Sequence, residues 1–176
     1  MEYKNPVIEQ IIRKYKQRIG MDYYRYKNHV YRVYRNCLLI DNDKVNDEKY
    51  SIASVFHDIG IWTDNTFDYL DPSVREATLY LIEIKREDLT EEVTLMIQWH
   101  HKISSYKGKY ETTVENFRKA DWIDVTFGYI SFGLDKQKIQ EIRKKLPDIG
   151  FHAFLLRESL KNFIKHPLDP LPVFKR

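Results

Sequence analysis

The sequence has one cysteine, Cys37, so no disulfide can close within the chain, and a reducing compartment suits it. It has no apolar run near the ~18 residues that a membrane span requires. Charge of either sign is not in excess. The 29 Lys and Arg against 26 Asp and Glu leave +3, too little to point to long nucleic acid or an anionic membrane surface. Met1 to Asn5 is polar and lacks the pattern of a signal peptide, so a cytoplasmic protein is expected. No stretch alternates apolar and polar residues between turn signals, which argues against a sheet. No repeat, low-complexity tract or linker divides the 176 residues, a length that suits one domain.

What is present is helical periodicity. Asn5-Pro6 reads as a cap and first-turn proline before Val7, Ile8, Ile11 and Ile12. A second helix, capped by Asp22, carries Tyr26, His29, Val30, Val33 and Cys37 on one stripe. A third starts at Asn46 or Asp47 and closes at His57-Asp58 before Gly60. A fourth starts at Asp71-Pro72. Thr90 caps a fifth that ends in His100-His101. Thr112 with Glu115 reads as a capping box for a sixth, which carries Val114, Phe117 and Asp121. Asp135 caps a seventh, and an eighth follows from Phe151. The expected fold is an all-α single-domain bundle over residues 1–176, with a motif core at about 22–130, C-terminal helices at 135–165 and an extended, proline-rich tail at 166–176.

Three of these helices place an acid or an imidazole on the inward stripe: His29, His57 and Asp121. A buried, unpaired carboxylate costs several kcal/mol, and a cation removes that cost. Helix bundles build metal sites from such facing side chains. Asp58, next to His57, points about 100° away on a regular helix, so it joins the same ion only where the helix ends. Imidazole with carboxylate suits Mn²⁺, Fe²⁺, Co²⁺, Ni²⁺ or Zn²⁺.

"HVYRVYRNCLLI", "FHDIGIWT" and "KADWIDV" together resemble the three motif blocks of the HD-domain superfamily: a His on a helix, a His-Asp doublet and a distant Asp. That resemblance implies an all-α fold, a divalent metal held by His29, His57, Asp58 and Asp121, and hydrolysis of phosphoester bonds. Two-metal members add histidines between the doublet and the last Asp. Here His100 and His101 match the later of those positions, but no histidine occurs between Asp58 and His100. The expectation is therefore one metal, with His100 or His101 lining the substrate pocket. A second metal near the pair is the alternative. Helical geometry implies that at least one of the pair faces solvent.

A divalent ion acidifies its water and neutralises charge on a phosphoryl oxygen. Arg32, one turn after His29, and Arg118, one turn before Asp121, are the expected cationic partners of the phosphate. Asp58 acts through the metal, and Asp64, six residues on, is placed to handle a proton or orient water. The expected function is a metal-dependent phosphohydrolase acting on a small phosphorylated metabolite or nucleotide. A di-iron oxygenase, a hydratase and a non-catalytic metal-containing sensor are the alternatives. The sequence leaves the oligomeric state open, a homodimer included.

Overall fold

The computed structural model describes residues 4–165; the tail expected at 166–176 lies outside them. Among the described residues every regular element is helical. The helices are α1 (Pro6–Lys14), α2 (Lys16–Ile19), α3 (Tyr23–Ile40), α4 (Asp47–Phe56), α5 (Gly60–Thr63), α6 (Leu70–Glu83), α7 (Thr90–Trp99), α8 (Glu111–Val125), α9 (Lys136–Lys145) and α10 (Phe151–Lys165). The all-α expectation holds. None of these helices is long and apolar enough to cross a membrane.

The centre of the bundle is α3 packed along α8, with α4 against α1, α3 and α7, and α7 against α6 and α8. The α3 stripe is inward as expected: Tyr26, His29, Val30, Val33 and Cys37 are fully buried. Each large apolar side chain removed from water this way contributes about 1.5–3 kcal/mol. Ile8, Ile11 and Ile12 bring α1 into the same core.

Several local expectations hold and others do not. Asn5 caps α1, its carboxamide oxygen accepting from the Val7 and Ile8 amides at 2.9 and 3.1 Å. Asp135 caps α9 by accepting from Gln137 N. The Thr112–Glu115 capping box does not form. The α8 N-terminus is set by Tyr110 in the left-handed region at φ 62°, without a side-chain cap. Glu115 instead accepts from Tyr106 N and from Arg118. Nor does Asp22 cap α3; its carboxylate accepts from Trp62 Nε1 and Arg25. Thr90 is the first residue of α7 and gives no side-chain cap there. The segment between the doublet and Asp71, where the sequence gives no helix signal, contains α5.

Gly60 opens α5, and its role is space. A Cβ there would strike the Tyr69 carbonyl and sit 2.9 Å from Pro72 Cβ and 3.0 Å from Ser73 N. Gly60 N donates to Ser73 Oγ at 2.9 Å, so α5 lies flush against the start of α6. That contact fixes where Tyr69 stands.

Candidate metal centre

Four helix ends and faces bring titratable side chains together. α3 contributes His29. The last turn after α4 contributes His57 and Asp58. The turn after α7 contributes His100 and His101, and α8 contributes Asp121. α4 stops at Phe56, so the chain turns between His57 and Asp58 and lets both reach the centre. α7 stops at Trp99 in the same way. Here an expectation is corrected. His100 and His101 both turn inward, because neither sits in a regular helix, and their Nε2 atoms lie 3.4 and 4.0 Å from Asp58 Oδ1.

Asp58 is the hub. Its Oδ2 lies 3.5 Å from His29 Nε2 and 3.4 Å from His57 Nε2. Its Oδ1 faces His100 and His101. Asp121 Oδ1 is 3.7 Å from both His29 Nε2 and His57 Nε2, and its Oδ2 is 3.9 Å from His101 Nδ1. Two groups, His29–His57–Asp58 and Asp58–His100–His101, each have ligand atoms close enough to share one ion.

The tautomers are set from behind. The Nδ1–H of His29 donates to Asp124 Oδ2 at 2.7 Å, that of His57 to Ser54 O at 2.9 Å, and that of His100 to Ile97 O at 2.5 Å. In each ring the Nδ1–H is held from behind and Nε2 is turned to the centre, the arrangement that orients metal-bound histidines. His29 Nε2 and His57 Nε2 stand only 2.9 Å apart. Two nitrogens about 2.1 Å from one ion, a right angle apart, are about 3.0 Å from each other. Asp58 Oδ1, Asp121 Oδ2 and His100 Nε2 are buried and without hydrogen-bond partners. Native interiors seldom leave such atoms unpaired, and three at one point fit a cation. The donor set fits a divalent metal of the borderline class.

The electrostatics agree. Burial works against the Asp58 charge, but His57, His100 and His29 outweigh it and hold its carboxyl well below the usual range. Burial pushes Asp121 up. Burial, with His100 and His29 adding, lowers His57 to about 3, which keeps it neutral. His29 is the exception: burial works against its charge, but Asp124 and Asp58 override it and raise it to about 9, so without a cation its Nε2 keeps a proton, directed at His57 Nε2, that a cation must displace. Burial pushes the Tyr69 phenol well above its ordinary value, and Asp58 and Asp121 push the same way.

The other expected site residues go elsewhere. Arg32 is fully buried behind His29, bidentate on Asp124 at 2.6 and 2.9 Å and donating to the Leu146 and Pro147 carbonyls. Arg118 pairs with Glu115 at 2.8 and 2.9 Å and donates to Lys102 O. Neither guanidinium points at the centre. Asp64 is paired with Arg75 at 2.8 Å on the exposed side of α5, outside the cluster. Sequence reasoning missed Asp124, although its signal was available: it follows Asp121 by one turn on the same face of α8. It also missed Tyr69, whose hydroxyl lies against His101 Nε2.

The centre is closed on most sides. The Phe151 ring of α10 stacks on His29 at 4.1 Å. His29, His57, His100, Asp58 and Asp121 have side chains 0–3% exposed, whereas His101 is 18% exposed, so the way in runs past His101. Comparison with known protein families, with curated proteins and with solved structures finds no match.

Proposed function

We propose that this chain is a metal-dependent phosphohydrolase of the HD type, acting on a small phosphorylated metabolite or nucleotide. The observation that carries the reading is the Asp58 carboxylate set between two histidine pairs, with Oδ2 toward His29 and His57 and Oδ1 toward His100 and His101. This arrangement supports two cation positions sharing one carboxylate, in place of the single ion expected from the sequence. Mn²⁺, Fe²⁺, Co²⁺, Ni²⁺ and Zn²⁺ all suit its donors. When bound, such ions supply an acidified water and neutralise charge on a phosphoryl oxygen.

The chain's own residues do the rest. His29 and His57 turn Nε2 inward because their Nδ1–H groups donate to Asp124 and to Ser54 O. Phe151 excludes water over His29. His101, at the opening, is placed to meet the entering group. Arg32 and Arg118 are committed to Asp124 and Glu115, which leaves the phosphoryl charge to the cation positions. A cluster whose most exposed member, His101, is only 18% exposed and a net charge of only +3 favour a small substrate over long nucleic acid.

The test is phosphate release from a panel of nucleoside mono-, di- and triphosphates and sugar phosphates, each with Mn²⁺, Co²⁺, Ni²⁺, Zn²⁺ and Mg²⁺. Release that a chelator stops and Asp58→Ala abolishes is the expected result. No release by fully loaded protein ends the hydrolase reading. The same paired arrangement also favours a second reading, oxidation of a small substrate by a di-iron centre. Oxygen uptake by the iron-loaded protein in the presence of substrate separates the two.

A further inference from the structure

We propose that the phenol oxygen of Tyr69 is a ligand to the cation held by Asp58, His100 and His101. This rests on the reading of two cation positions above.

The segment between Asp58 and His100 contains no histidine, and Tyr69 is the residue from it whose side-chain oxygen enters the cluster. The hydroxyl meets His101 Nε2, which itself lies 4.0 Å from Asp58 Oδ1. Asp58 Oδ1, His100 Nε2 and His101 Nε2 are three donors, and ions of this class take four or more. Tyr69 stands where a fourth protein donor belongs.

Its placement is built. Tyr69 is 2% exposed, its ring is 5.9 Å from that of His101 and 6.5 Å from that of His100, and Phe67 meets its ring edge-on. Its carbonyl accepts from Ser73 N at 2.9 Å, and Gly60 packs against that same carbonyl. A buried tyrosine usually sends its hydroxyl to a backbone oxygen. Tyr26, nearby, does so, donating to Val55 O at 2.7 Å. The Tyr69 hydroxyl instead meets a candidate ligand, His101. On coordination the O–H bond breaks, the oxygen–metal bond forms, and the proton leaves to solvent past His101. Each position has two imidazoles and shares Asp58; the phenolate sets the one at His100 and His101 apart and suits it to a trivalent ion.

The experiment loads chelator-stripped full-length protein with iron(III), delivered as its nitrilotriacetate chelate, and measures iron per chain beside the visible spectrum. The expected result is an intense phenolate-to-iron charge-transfer band in the wild type. Tyr69→Phe should lose it at retained iron in the other position, and Tyr26→Phe should keep it. Resonance Raman excitation within the wild-type band should show tyrosinate ring vibrations, a measurement that needs no variant. Bound iron without a band, or a band that survives Tyr69→Phe, overturns the ligand assignment and leaves the metal centre standing. A wild type that takes up neither iron(III) nor any divalent ion overturns both.

Discussion

Asp124 shows how much of this centre depends on a side chain that faces away from it. Its carboxylate takes the Nδ1 proton of His29, two nitrogens of Arg32 and one of Arg143, the last at 2.8 Å. Asp124→Asn removes the charge that both guanidiniums answer, leaving buried Arg32 with Asp148, 3.5 Å away, as its acidic neighbour, at a cost of up to about 3–5 kcal/mol. It also loosens His29, and losing such a partner typically weakens metal affinity about 10–100-fold. A competition titration against a chelator and a thermal melt measure the two effects; unchanged affinity would sink the orienting role. At the centre, Asp58→Ala is expected to remove all bound metal, whereas His57→Ala and His100→Ala each remove one equivalent, as read by elemental analysis. Equal losses from all three would mean a single position. The inward placement of His29, His57 and Asp121 was legible in the sequence because a polar group on an apolar stripe conflicts with its neighbours, whereas Asp58 was legible only through the His-Asp doublet. The roles of Arg32 and Arg118 were not, because a charge one turn from a ligand does not say which way its side chain turns. Arg32 turned to Asp124, ninety-two residues away in sequence. Tyr69 was illegible because an aromatic in a loop reads as packing.

Helix ends decide most of what matters at the next scale. α4 and α7 each stop one residue before a ligand pair, and the stop lets adjacent residues converge. Periodicity located the longer helices, but it is blind to α5, whose four residues make one turn. Cap motifs read from sequence also need testing against geometry. Asp135→Ala should cost about 1 kcal/mol, since a real cap is lost. Thr112→Ala should be near neutral, because Thr112 is exposed and the α8 N-terminus carries no side-chain cap. Paired denaturant melts decide this, and equal losses would restore the capping box. Gly60→Ala tests the α5–α6 seam. The added methyl meets Tyr69 O and Pro72, so α6 must shift, at about 1–3 kcal/mol. If Tyr69 is a ligand, the same change should also weaken the charge-transfer band.

At the scale of the whole molecule, the core and the centre oppose each other. The bundle buries an apolar interior that stabilises it in the usual way, and the all-α class was legible because nearly every inward position repeats at helical spacing. Into that interior it places two carboxylates and four imidazoles, several of whose atoms lack partners. Without a cation this arrangement is a stability cost, and with one it is a gain, since ligand bound only to the folded state stabilises by about 2.7 kcal/mol at a hundredfold excess over Kd. Asp121 exposes the trade. Burial raises its carboxyl, so its charge is disfavoured in the metal-free protein. Asp121→Asn should therefore leave the melting temperature in EDTA unchanged or higher, because asparagine has no charge whose burial works against the fold. In saturating Mn²⁺ or Zn²⁺ the order should reverse, because the wild type keeps an anionic ligand that asparagine cannot supply. Differential scanning calorimetry on both proteins, with chelator and with metal, gives four melting temperatures. A crossing of the two lines marks Asp121 as a residue kept for the cation; parallel lines would mean that Asp121 serves the fold alone.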